Sequence, residues 1–477
     1  MELPREFIDI TKKTLGEALF ARYLEGMGEE APVSVRLNPR KQTVYRSVDK
    51  GMARVPWCPG GYYLRERAPF TFDPLMHAGC YYVQDASSMF VAHVVTTLQT
   101  TAARVLDLCG APGGKSTALL SCLPEGSVVV TNDIVRPRAQ VLAENIMKWG
   151  CPNTIVTCSA PSRYAKSGVA FDMVLCDVPC SGEGMFRKDA NAIAEWSPQN
   201  VERCRLMQRD IVSHAWQCLR EGGLLVYSTC TLNTRENEEN VRWIADTFGA
   251  ALLPVPIEDD WAIVGSLLPA DKGGVDGPVY RFLPGVARGE GLFMAVMRKG
   301  GGVEGPSKPS VYRTTLKADR QIAYRCSSWL SSPEEFALTA DASRRYVLAI
   351  PRDMVGLYEA LADSVNMVSA GIVVGSIRGR DIVPAEALAL SWAASAAIPV
   401  VPLSYHDAIA YLQRNALTLP ASIAPNYVMV SFRGAPLGFM KQMAGRTNNL
   451  YPKEWRIKSS YAPAAYIDPI GGEDSET

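Results

Sequence analysis

The chain has 477 residues, of which 47% are hydrophobic and 21% charged, a composition that describes a soluble globular protein. A chain of this length exceeds one ordinary hydrophobic core, so we expect two to four domains. Lys plus Arg and Asp plus Glu both number 49. The net charge therefore says nothing about a nucleic-acid partner, and any basic surface must come from local segregation of charge.

Twelve cysteines are present, but no two are spaced as Cys-x-x-Cys, which argues against zinc ribbons and thioredoxin-like redox sites. Cys176 and Cys218 lie in apolar runs, as reduced core cysteines do. The four histidines are scattered, so we expect no metal site. Without a signal peptide or a long uncharged apolar segment, we expect a cytoplasmic protein in a reducing compartment, with no membrane partner. We also expect a monomer.

The first predicted element is an amphipathic helix, because apolar residues recur at helical spacing near the start of the chain. These residues are Phe7, Ile8, Leu15, Leu19, Phe20 and Tyr23. An extended stretch follows at 33–39, and then a passage rich in Pro and Gly near 56–61. We therefore expect a small α+β appendage over residues 1–78.

Between residues 79 and 300, apolar strands alternate with helices, which predicts an α/β fold with a doubly wound, mostly parallel sheet. The helix before Leu224 is well marked, since Ser197 can cap it and Pro198 suits its first position. Gly222 and Gly223 follow it. The predicted strands are Arg104–Leu108, Val128–Asn132, Thr154–Thr157, Met173–Asp177, Leu224–Ser228 and Leu292–Arg298.

The clearest linker is the Gly- and Pro-rich segment 300–309. We expect a mixed module over 312–392 and a further module over 398–465, in which 426–432 reads as a strand. The acidic tail 471–477 has the composition of a disordered segment.

A loop of small residues follows the first predicted strand of the α/β core. It comprises Cys109, Gly110, Ala111, Pro112, Gly113, Gly114 and Lys115. Cys109 stands where a P-loop needs its first glycine, and the glycines do not make the dinucleotide fingerprint either. What remains is a loop that can approach a ligand closely, with Asp133 past the next strand placed to accept hydrogen bonds from ribose hydroxyls. The alternative is a structural turn with a solvated aspartate.

Two cysteines each follow a later strand, Cys180 in Asp177-Val178-Pro179-Cys180-Ser181-Gly182 and Cys230 in Ser228-Thr229-Cys230-Thr231. Two cysteines at neighbouring strand ends are suited to methylating a pyrimidine carbon. Cytosine C5 is a poor nucleophile until a thiolate adds to C6 and turns the ring into an enamine, and cysteine is intrinsically reactive enough for that addition. Asp177 would donate a proton to N3 if a water-poor site raises its pKa. The alternative is a pair of ordinary half-buried cysteines.

Together these segments resemble the RsmF-type bacterial branch of RNA cytosine-C5 methyltransferases, and the resemblance covers nearly the whole chain. Its strongest parts are the Pro-Gly-Gly-Lys loop, the block 177–188 and Ser-Thr-Cys-Thr followed by Glu236-Asn237-Glu238. Further similar segments are Gln84-Asp85 with Ser87, Arg281-Phe282, Arg288-Gly289-Glu290-Gly291, Leu437-Gly438-Phe439 and 448–454.

The resemblance implies a Rossmann-like class I methyltransferase core over 79–300 that uses S-adenosylmethionine. It implies that Cys230 is the nucleophile, that Cys180 assists release of the product, and that Asp177 contacts substrate and cofactor. The loop 109–115, Asp133 and Arg138 would hold the cofactor. Many members carry an aspartate that contacts the adenine where this chain has Ala160 before Pro161. Either backbone contacts at Ala160 hold the adenine here, or affinity for the cofactor is lower.

The implied partner is RNA, namely small-subunit ribosomal RNA, bound by the 1–78 appendage and by a PUA-like module at 398–465. From 433 to 458 there are six basic residues against one acid, with Phe432, Phe439, Tyr451 and Trp455 interleaved, which suits phosphate contact and base stacking. A solvated face over a small core is the alternative. Further candidate RNA contacts are Arg36, Arg40, Lys41, Arg187 and Lys188.

Two competing functions are a DNA cytosine methyltransferase and a non-catalytic RNA-binding or ribosome-assembly factor. Glu239-Asn240-Val241 imitates a catalytic tripeptide of DNA cytosine methyltransferases. In this chain it falls in a segment that reads as helix, so we interpret the match as coincidence. The presence of both Cys180 and Cys230 argues against a non-catalytic factor.

Overall fold

The computed structural model describes residues 3–41, 52–300, 319–341, 343–420, 422–423, 426–443, 446–459 and 461–470. The predicted linker beyond Gly300 and the predicted tail 471–477 lie outside these ranges. Among the described residues, none of the helices is both long and apolar enough to span a bilayer.

The N-terminal part combines a long helix with a small antiparallel sheet. Its elements are α1 (Arg5–Gly28), β1 (Ser34–Leu37), β2 (Gly61–Tyr63), α2 (Pro74–His77) and β3 (Tyr81–Val83), with the strands ordered β2-β1-β3. The predicted first helix is confirmed, but it breaks at Gly16, whose φ of 75° favours glycine. Phe7 packs edge-on against Phe186 and Trp196 of the central part, with ring centroids 5.0 and 5.4 Å away.

The central part alternates strands and helices, as the sequence predicts. Its elements are α3 (Phe90–Leu98), β4 (Arg104–Asp107), α4 (Gly114–Cys122), β5 (Val128–Asn132), α5 (Arg136–Trp149), β6 (Thr154–Thr157), α6 (Pro161–Ser167), β7 (Phe171–Asp177), α7 (Ala190–Glu195), α8 (Pro198–Cys218), β8 (Leu219–Thr229), α9 (Glu238–Phe248), β9 (Ala251–Leu252), β10 (Tyr280–Phe282) and β11 (Leu292–Arg298). Ser197 caps α8 by accepting a hydrogen bond from the backbone N–H of Asn200, as expected.

The predicted doubly wound, mostly parallel sheet is confirmed. The strand order is β10-β11-β8-β7-β4-β5-β6, in which β4 to β8 run parallel and β10 and β11 antiparallel. The chain leaves β4 towards β5 and β6 on one side, and returns to β7 and β8 on the other. In such sheets the crevice at the carboxyl ends of the strands, where the order reverses, is the place for ligands.

The third part contains α10 (Arg320–Cys326), β12 (Phe336–Ala340), β13 (Tyr346–Pro351), α11 (Val355–Ala362), β14 (Met367–Ala370), β15 (Ile372–Arg378), β16 (Asp381–Pro384) and α12 (Glu386–Leu390). Four of its strands form a separate sheet in the order β12-β13-β15-β16. The fifth strand, β14, instead pairs antiparallel with β6 and extends the central sheet. This module therefore shares the backbone hydrogen bonding of the central sheet.

The PUA-like part contains β17 (Val400–Pro402), α13 (Tyr405–Leu412), β18 (Tyr427–Phe432), β19 (Ala435–Met443) and β20 (Arg446–Asn449), with strands ordered β17-β18-β19-β20. Its apolar face packs against that of the N-terminal part, so the two ends of the chain share one hydrophobic cluster. The Tyr405 hydroxyl donates to the carbonyl of Phe72 (3.1 Å), and Tyr466 donates to Asp73 (3.3 Å). The terminal parts consequently form one unit beside the central part.

This shared core predicts coupled stability of the two terminal parts. Leu437 is 1% exposed within the shared cluster, so Leu437→Ala should lower the free energy of unfolding by about 2–5 kcal/mol. Hydrogen exchange should then accelerate in β3 as well as in β18, because the packing of both strands is weakened. Leu338→Ala is the control and should leave β3 protected, because Leu338 lies in the cluster that the third part forms with Met429 and Phe439, which contains no described residue of the N-terminal part. Unchanged exchange in β3 of Leu437→Ala would contradict a shared core.

Candidate active site

Three parallel strands bring the sequence-predicted motifs to one edge of the sheet. β4 ends at Asp107, β7 at Asp177 and β8 at Thr229, and these strands lie side by side in the order β8-β7-β4. The glycine-rich loop leaves the first of them, and the two cysteine loops leave the others. The expectation that Cys180 and Cys230 lie at the ends of adjacent strands is confirmed.

The glycine-rich loop is held against β5. The backbone N–H of Gly110 donates to the carbonyl of Asn132 at 2.7 Å. A Cβ at Gly110 would lie 2.2 Å from Oγ1 of Thr131, so only glycine fits this approach. The loop then enters α4, with Gly113 turned towards Leu142 and Asn145 of α5.

A cavity of about 220 Å³ opens beside this loop. Its walls combine loop residues with one segment from the N-terminal part and two strand-end aspartates. The lining residues are Cys109, Gly110, Ala111, Pro112, Gly114, Lys115, Asp107, Asp177, Tyr82, Val83, Gln84, Asp85 and Ser88. Of the loop residues predicted to hold the cofactor, all but Gly113 line the cavity.

Asp107 is a cavity residue that the sequence analysis missed. Its Oδ2 accepts a hydrogen bond from Ser116 Oγ (2.6 Å), whereas its Oδ1 is buried without a partner. Burial raises the pKa of this carboxyl group to about 7. Asp107, Asp177 and Asp85 thus offer three carboxyl groups to one cavity, which fits a ligand that carries positive charge, as the ammonium and sulfonium of S-adenosylmethionine do. The sequence did contain a signal for this residue, because Asp107, like Asp177, is an aspartate at or near the end of a predicted strand.

Asp133 and Arg138 lie next to the glycine-rich loop. The Arg138 guanidinium is 3.2 Å from the Asp133 carboxylate and also donates to the carbonyl of Ala111 (3.0 Å). The Asp133 carboxylate also accepts from the N–H of Val135 (2.9 Å). Asp133 and Arg138 lie outside the lining of the cavity, as does Ala160, which precedes α6. The structure therefore joins Asp133 and Arg138 to the loop and leaves Ala160 apart from it.

The two cysteine sulfurs are in direct contact, with Cys180 Sγ 3.1 Å from Cys230 Sγ. The hydrogen bond to Cys230, together with burial, raises the pKa of the Cys180 thiol well above its usual range. Cys180 therefore keeps its proton and can donate it to the sulfur of Cys230. All twelve cysteines are free thiols, and the predicted burial of Cys176 and Cys218 is confirmed.

Lys115 connects the cofactor loop to the strand-end aspartate. Its ammonium lies 2.8 Å from Oδ2 of Asp177. Burial alone would lower the pKa of Lys115, but the neighbouring Asp177 carboxylate and the negative charge of a Cys230 thiolate outweigh burial, so its pKa is raised. The prediction that Asp177 lies in a water-poor site does not match this environment. The Asp177 side chain is 30% exposed and is paired with the Lys115 ammonium.

Two residues proposed to contact RNA, the buried Arg36 and the half-buried Lys41, instead make hydrogen bonds within the protein, which corrects that hypothesis. Arg36 is 1% exposed, donates to Gln84 (2.8 Å) and to Oγ1 of Thr117 (2.6 Å), and so joins the N-terminal sheet to α4. The Lys41 ammonium donates to the carbonyls of Ala78 and Lys148. Each of these two cationic groups is hydrogen-bonded to acceptors within the protein.

Arg187 is also occupied, because its 5%-exposed side chain pairs with Glu290. Lys188 shares that partner at 3.3 Å but remains about one-third exposed. Arg40 is exposed, with its guanidinium over the Trp392 ring.

The aromatic residues interleaved with basic ones near the C-terminus belong mostly to the core. Phe432, Phe439 and Tyr451 are at most 5% exposed, because the strands and the turn that carry them direct these rings inwards. Trp455 is half-buried beneath the Lys148 ammonium. The expected stacking surface is therefore wrong for the three buried rings. Among the basic residues of this segment, Arg433, Arg446, Lys453, Arg456 and Lys458 are exposed.

Three family models match the chain in series, and together they match well over half of it. They are the N-terminal domain of 16S rRNA methyltransferase RsmF at residues 3–86, 16S rRNA methyltransferase RsmB/F at 95–298, and the methyltransferase RsmF PUA domain at 398–457. The matched ranges follow the parts seen in the structure.

Curated relatives align over nearly the whole chain. Ribosomal RNA small subunit methyltransferase F of Cronobacter sakazakii is 27% identical, over 95% of this chain and 96% of the relative. The protein of the same name from Photobacterium profundum is 26% identical, over 95% and 97%. The crystal structure of NSun6 from Pyrococcus horikoshii with SFG shares the fold, at 19% identity and a TM-score of 0.51 over 63% of this chain and 99% of that one.

The fold, the carboxyl groups of the cavity and the matched domains all indicate a methyltransferase that uses S-adenosylmethionine. The cofactor is S-adenosylmethionine, and the cavity lined by Asp107, Asp177 and most of the loop 109–115 lies where the sequence predicts its site. The chain belongs to the RsmB/F family of 16S rRNA methyltransferases, with the N-terminal and PUA domains of the RsmF type.

Proposed function

We propose that the chain methylates C5 of a cytosine in small-subunit ribosomal RNA through a covalent bond between Cys230 and C6. The observation that carries this proposal is the 3.1 Å contact between Cys180 and Cys230, in which Cys180 keeps the proton. A protonated neighbour stabilises negative charge on the sulfur of Cys230, and the thiolate is the attacking form of cysteine.

Addition of the Cys230 thiolate to C6 requires a proton at N3 of the ring. The Lys115–Asp177 pair is the acid at this edge of the sheet, with the proton on the ammonium and the carboxylate 2.8 Å away. Asp177 is thus the acceptor that orients Lys115, and it is available to hydrogen-bond to the base. S-adenosylmethionine supplies the activated methyl group that C5 of the resulting enamine attacks.

Release of the product reverses the addition. A base removes the proton from C5, the bond between C6 and Cys230 breaks, and the electron pair of that bond returns to sulfur. The thiol of Cys180 donates a hydrogen bond to the leaving thiolate from 3.1 Å, which stabilises the developing charge. Loss of Cys180 would therefore affect elimination more than addition.

The arrangement does not favour a mechanism of the DNA methyltransferase type. Glu239, Asn240 and Val241 lie inside α9. The Asn240 amide donates to Gln208 Oε1 (2.8 Å) and to the Tyr227 hydroxyl, so this residue has a structural role in the helix packing.

Replacing the proposed nucleophile provides the first test. Cys230→Ala should abolish transfer of the methyl group from labelled S-adenosylmethionine to RNA, because no other sulfur replaces the one at the end of β8. Affinity for S-adenosylhomocysteine should stay within about twofold, since Cys230 is outside the cavity lining. Cys151→Ala, a half-buried cysteine in another cleft, is the matched control and should retain activity. Turnover above a few per cent of wild type in Cys230→Ala would exclude the assignment.

A second experiment separates the roles of the two cysteines. Cys180→Ala should accumulate a denaturant-stable adduct between protein and RNA, because addition proceeds while elimination slows. The adduct should be visible as a mobility shift on denaturing gels and should disappear in Cys180→Ala/Cys230→Ala. An adduct in Cys230→Ala instead would mean that the roles are reversed.

The exposed basic residues of the PUA-like part predict salt-dependent RNA affinity. Removing one cation that neutralises a phosphate should lower the slope of log affinity against log salt by roughly one unit. Neutralising Arg446, Lys453, Arg456 and Lys458 to Gln should therefore weaken RNA binding and flatten this slope without changing cofactor affinity. Lys12→Gln on α1 is the control for an exposed basic residue elsewhere.

Point substitutions are preferable to truncation after residue 300 for this test. Truncation would remove β14 from the central sheet and half of the shared terminal core. Equal RNA affinity and slope in the neutralised and wild-type proteins would mean that these residues form only a solvated face.

A further inference from the structure

Each of the two cysteine loops contains a buried glutamate that forms hydrogen bonds to the other loop. Glu183 follows Cys180 by three positions and is 2% exposed, and Glu236 follows Cys230 by six positions and is 0% exposed. Each carboxylate reaches the loop of the other cysteine. A buried carboxylate is costly unless every oxygen is hydrogen-bonded, so the donors around these two groups indicate what each one holds in place.

Glu183 accepts four hydrogen bonds, three of them from the Cys230 loop. Its Oε2 accepts from the backbone N–H groups of Leu232 (2.9 Å) and Asn233 (2.8 Å). Its Oε1 accepts from the Asn233 amide (3.0 Å) and from the Trp196 indole N–H (2.9 Å). A residue of the Cys180 loop therefore fixes the backbone immediately after Cys230.

Glu236 makes the reciprocal set of contacts. Its Oε2 accepts from the backbone N–H of Ser181 (3.0 Å) and from the Gln208 amide (2.7 Å). Its Oε1 accepts from the Ser181 hydroxyl (2.5 Å) and the Asn233 amide (2.8 Å). A residue of the Cys230 loop thus fixes the backbone immediately after Cys180.

Two direct contacts complete the connection between the loops. The backbone N–H of Gly184 donates to the carbonyl of Cys230 itself (2.9 Å). The hydroxyls of Ser181 and Thr231, the residues that follow the two cysteines, are 2.8 Å apart. Both cysteines are consequently held by their own backbone or by that of the next residue.

We propose that Glu183 and Glu236 are positioning residues that set the distance and orientation between the Cys180 and Cys230 sulfurs. This inference rests on the proposed function for its catalytic consequence, but the sulfur–sulfur distance is a property of the protein alone. A misplacement of about 1 Å at a reacting centre can cost on the order of 100-fold in rate. We call this pair of glutamates the clamp. The clamp therefore acts on the rate of chemistry and not on binding of cofactor or RNA.

Glutamine in either position would break the clamp while preserving side-chain size. Each carboxylate faces four donors, and a glutamine presents one accepting oxygen and one NH₂ group. In Glu183→Gln, the NH₂ group would face a donor that cannot reverse in either orientation, namely the backbone N–H groups of Leu232 and Asn233 or the indole N–H of Trp196. Glu183→Gln and Glu236→Gln thus test charge and acceptor pattern at nearly constant volume.

Disulfide formation measures the sulfur distance without any methylation assay. Diamide, an azo compound, oxidises two neighbouring thiols to a disulfide and is itself reduced to the hydrazine, taking up two protons and two electrons. The yield of the Cys180–Cys230 disulfide with time is read by mass spectrometry of peptides from the intact protein. We expect rapid formation in the wild type and a rate lower by about tenfold or more in Glu183→Gln and Glu236→Gln.

Kinetics on the same proteins give the catalytic consequence. In both variants kcat should fall by about 100-fold, whereas KM for RNA and affinity for S-adenosylhomocysteine should stay within about twofold of wild type. Glu239→Gln is the matched control. Glu239 lies in α9 three residues after Glu236, and its side chain makes none of the contacts that join the loops, so this variant should behave as wild type in both assays.

Each outcome decides between alternatives. Disulfide formation at the wild-type rate in both glutamine variants, or no Cys180–Cys230 disulfide in the wild type, would overturn the positioning role. The expected disulfide rates together with a wild-type enzyme that methylates no cytosine would overturn the proposed function and leave the clamp intact. If the glutamine variants do not fold, Ser181→Ala removes only the hydroxyl contacts, and it should slow disulfide formation by about threefold.

Discussion

The site depends on one constraint, which is that β8, β7 and β4 run parallel and adjacent. Parallel strands present their carboxyl ends at the same edge of a sheet. The last residues of the three strands, Asp107, Asp177 and Thr229, therefore lie side by side. The loops that follow these strands therefore place the cavity beside the glycine-rich loop and the cysteine pair at the same edge of the sheet. Lys115 connects the two, since it lines the cavity and its ammonium lies 2.8 Å from the Asp177 carboxylate.

The cysteine pair is asymmetric although it consists of two identical side chains. Cys180 holds its proton because it donates to Cys230 and is buried, which raises its pKa. Lys115 places positive charge near Cys230, and Asp177 keeps that charge in position. The neighbours of the two thiols thus favour Cys180 as the hydrogen-bond donor, which agrees with the role of nucleophile that we propose for Cys230. Such a division requires a fixed sulfur separation, which is the task we assign to Glu183 and Glu236.

The parts of the chain outside the central sheet also pack against it and contribute to the cavity. Residues 82–85 and 88 of the N-terminal part form one wall of the cavity beside the glycine-rich loop, and Arg36 joins the same sheet to α4. The PUA-like part packs on the other side of that N-terminal sheet, and β14 extends the central sheet beyond β6. Packed side chains of the N-terminal part therefore connect the terminal unit to the wall of the cavity.

Local patterns in the sequence were sufficient for the strands of the core, the capped helix at Ser197, the two cysteine loops and the small-residue loop, because each depends on neighbours within a few positions. Strand alternation does not say what covers a given face, so the burial of Arg36 and of Phe432, Phe439 and Tyr451 appeared only in the structure. The same holds for the pairing of β14 with β6, the partner of Asp177 and the crossing carboxylates of Glu183 and Glu236. These features join residues far apart in the chain, and only the packed tertiary structure decides which distant donors, charges and apolar faces meet.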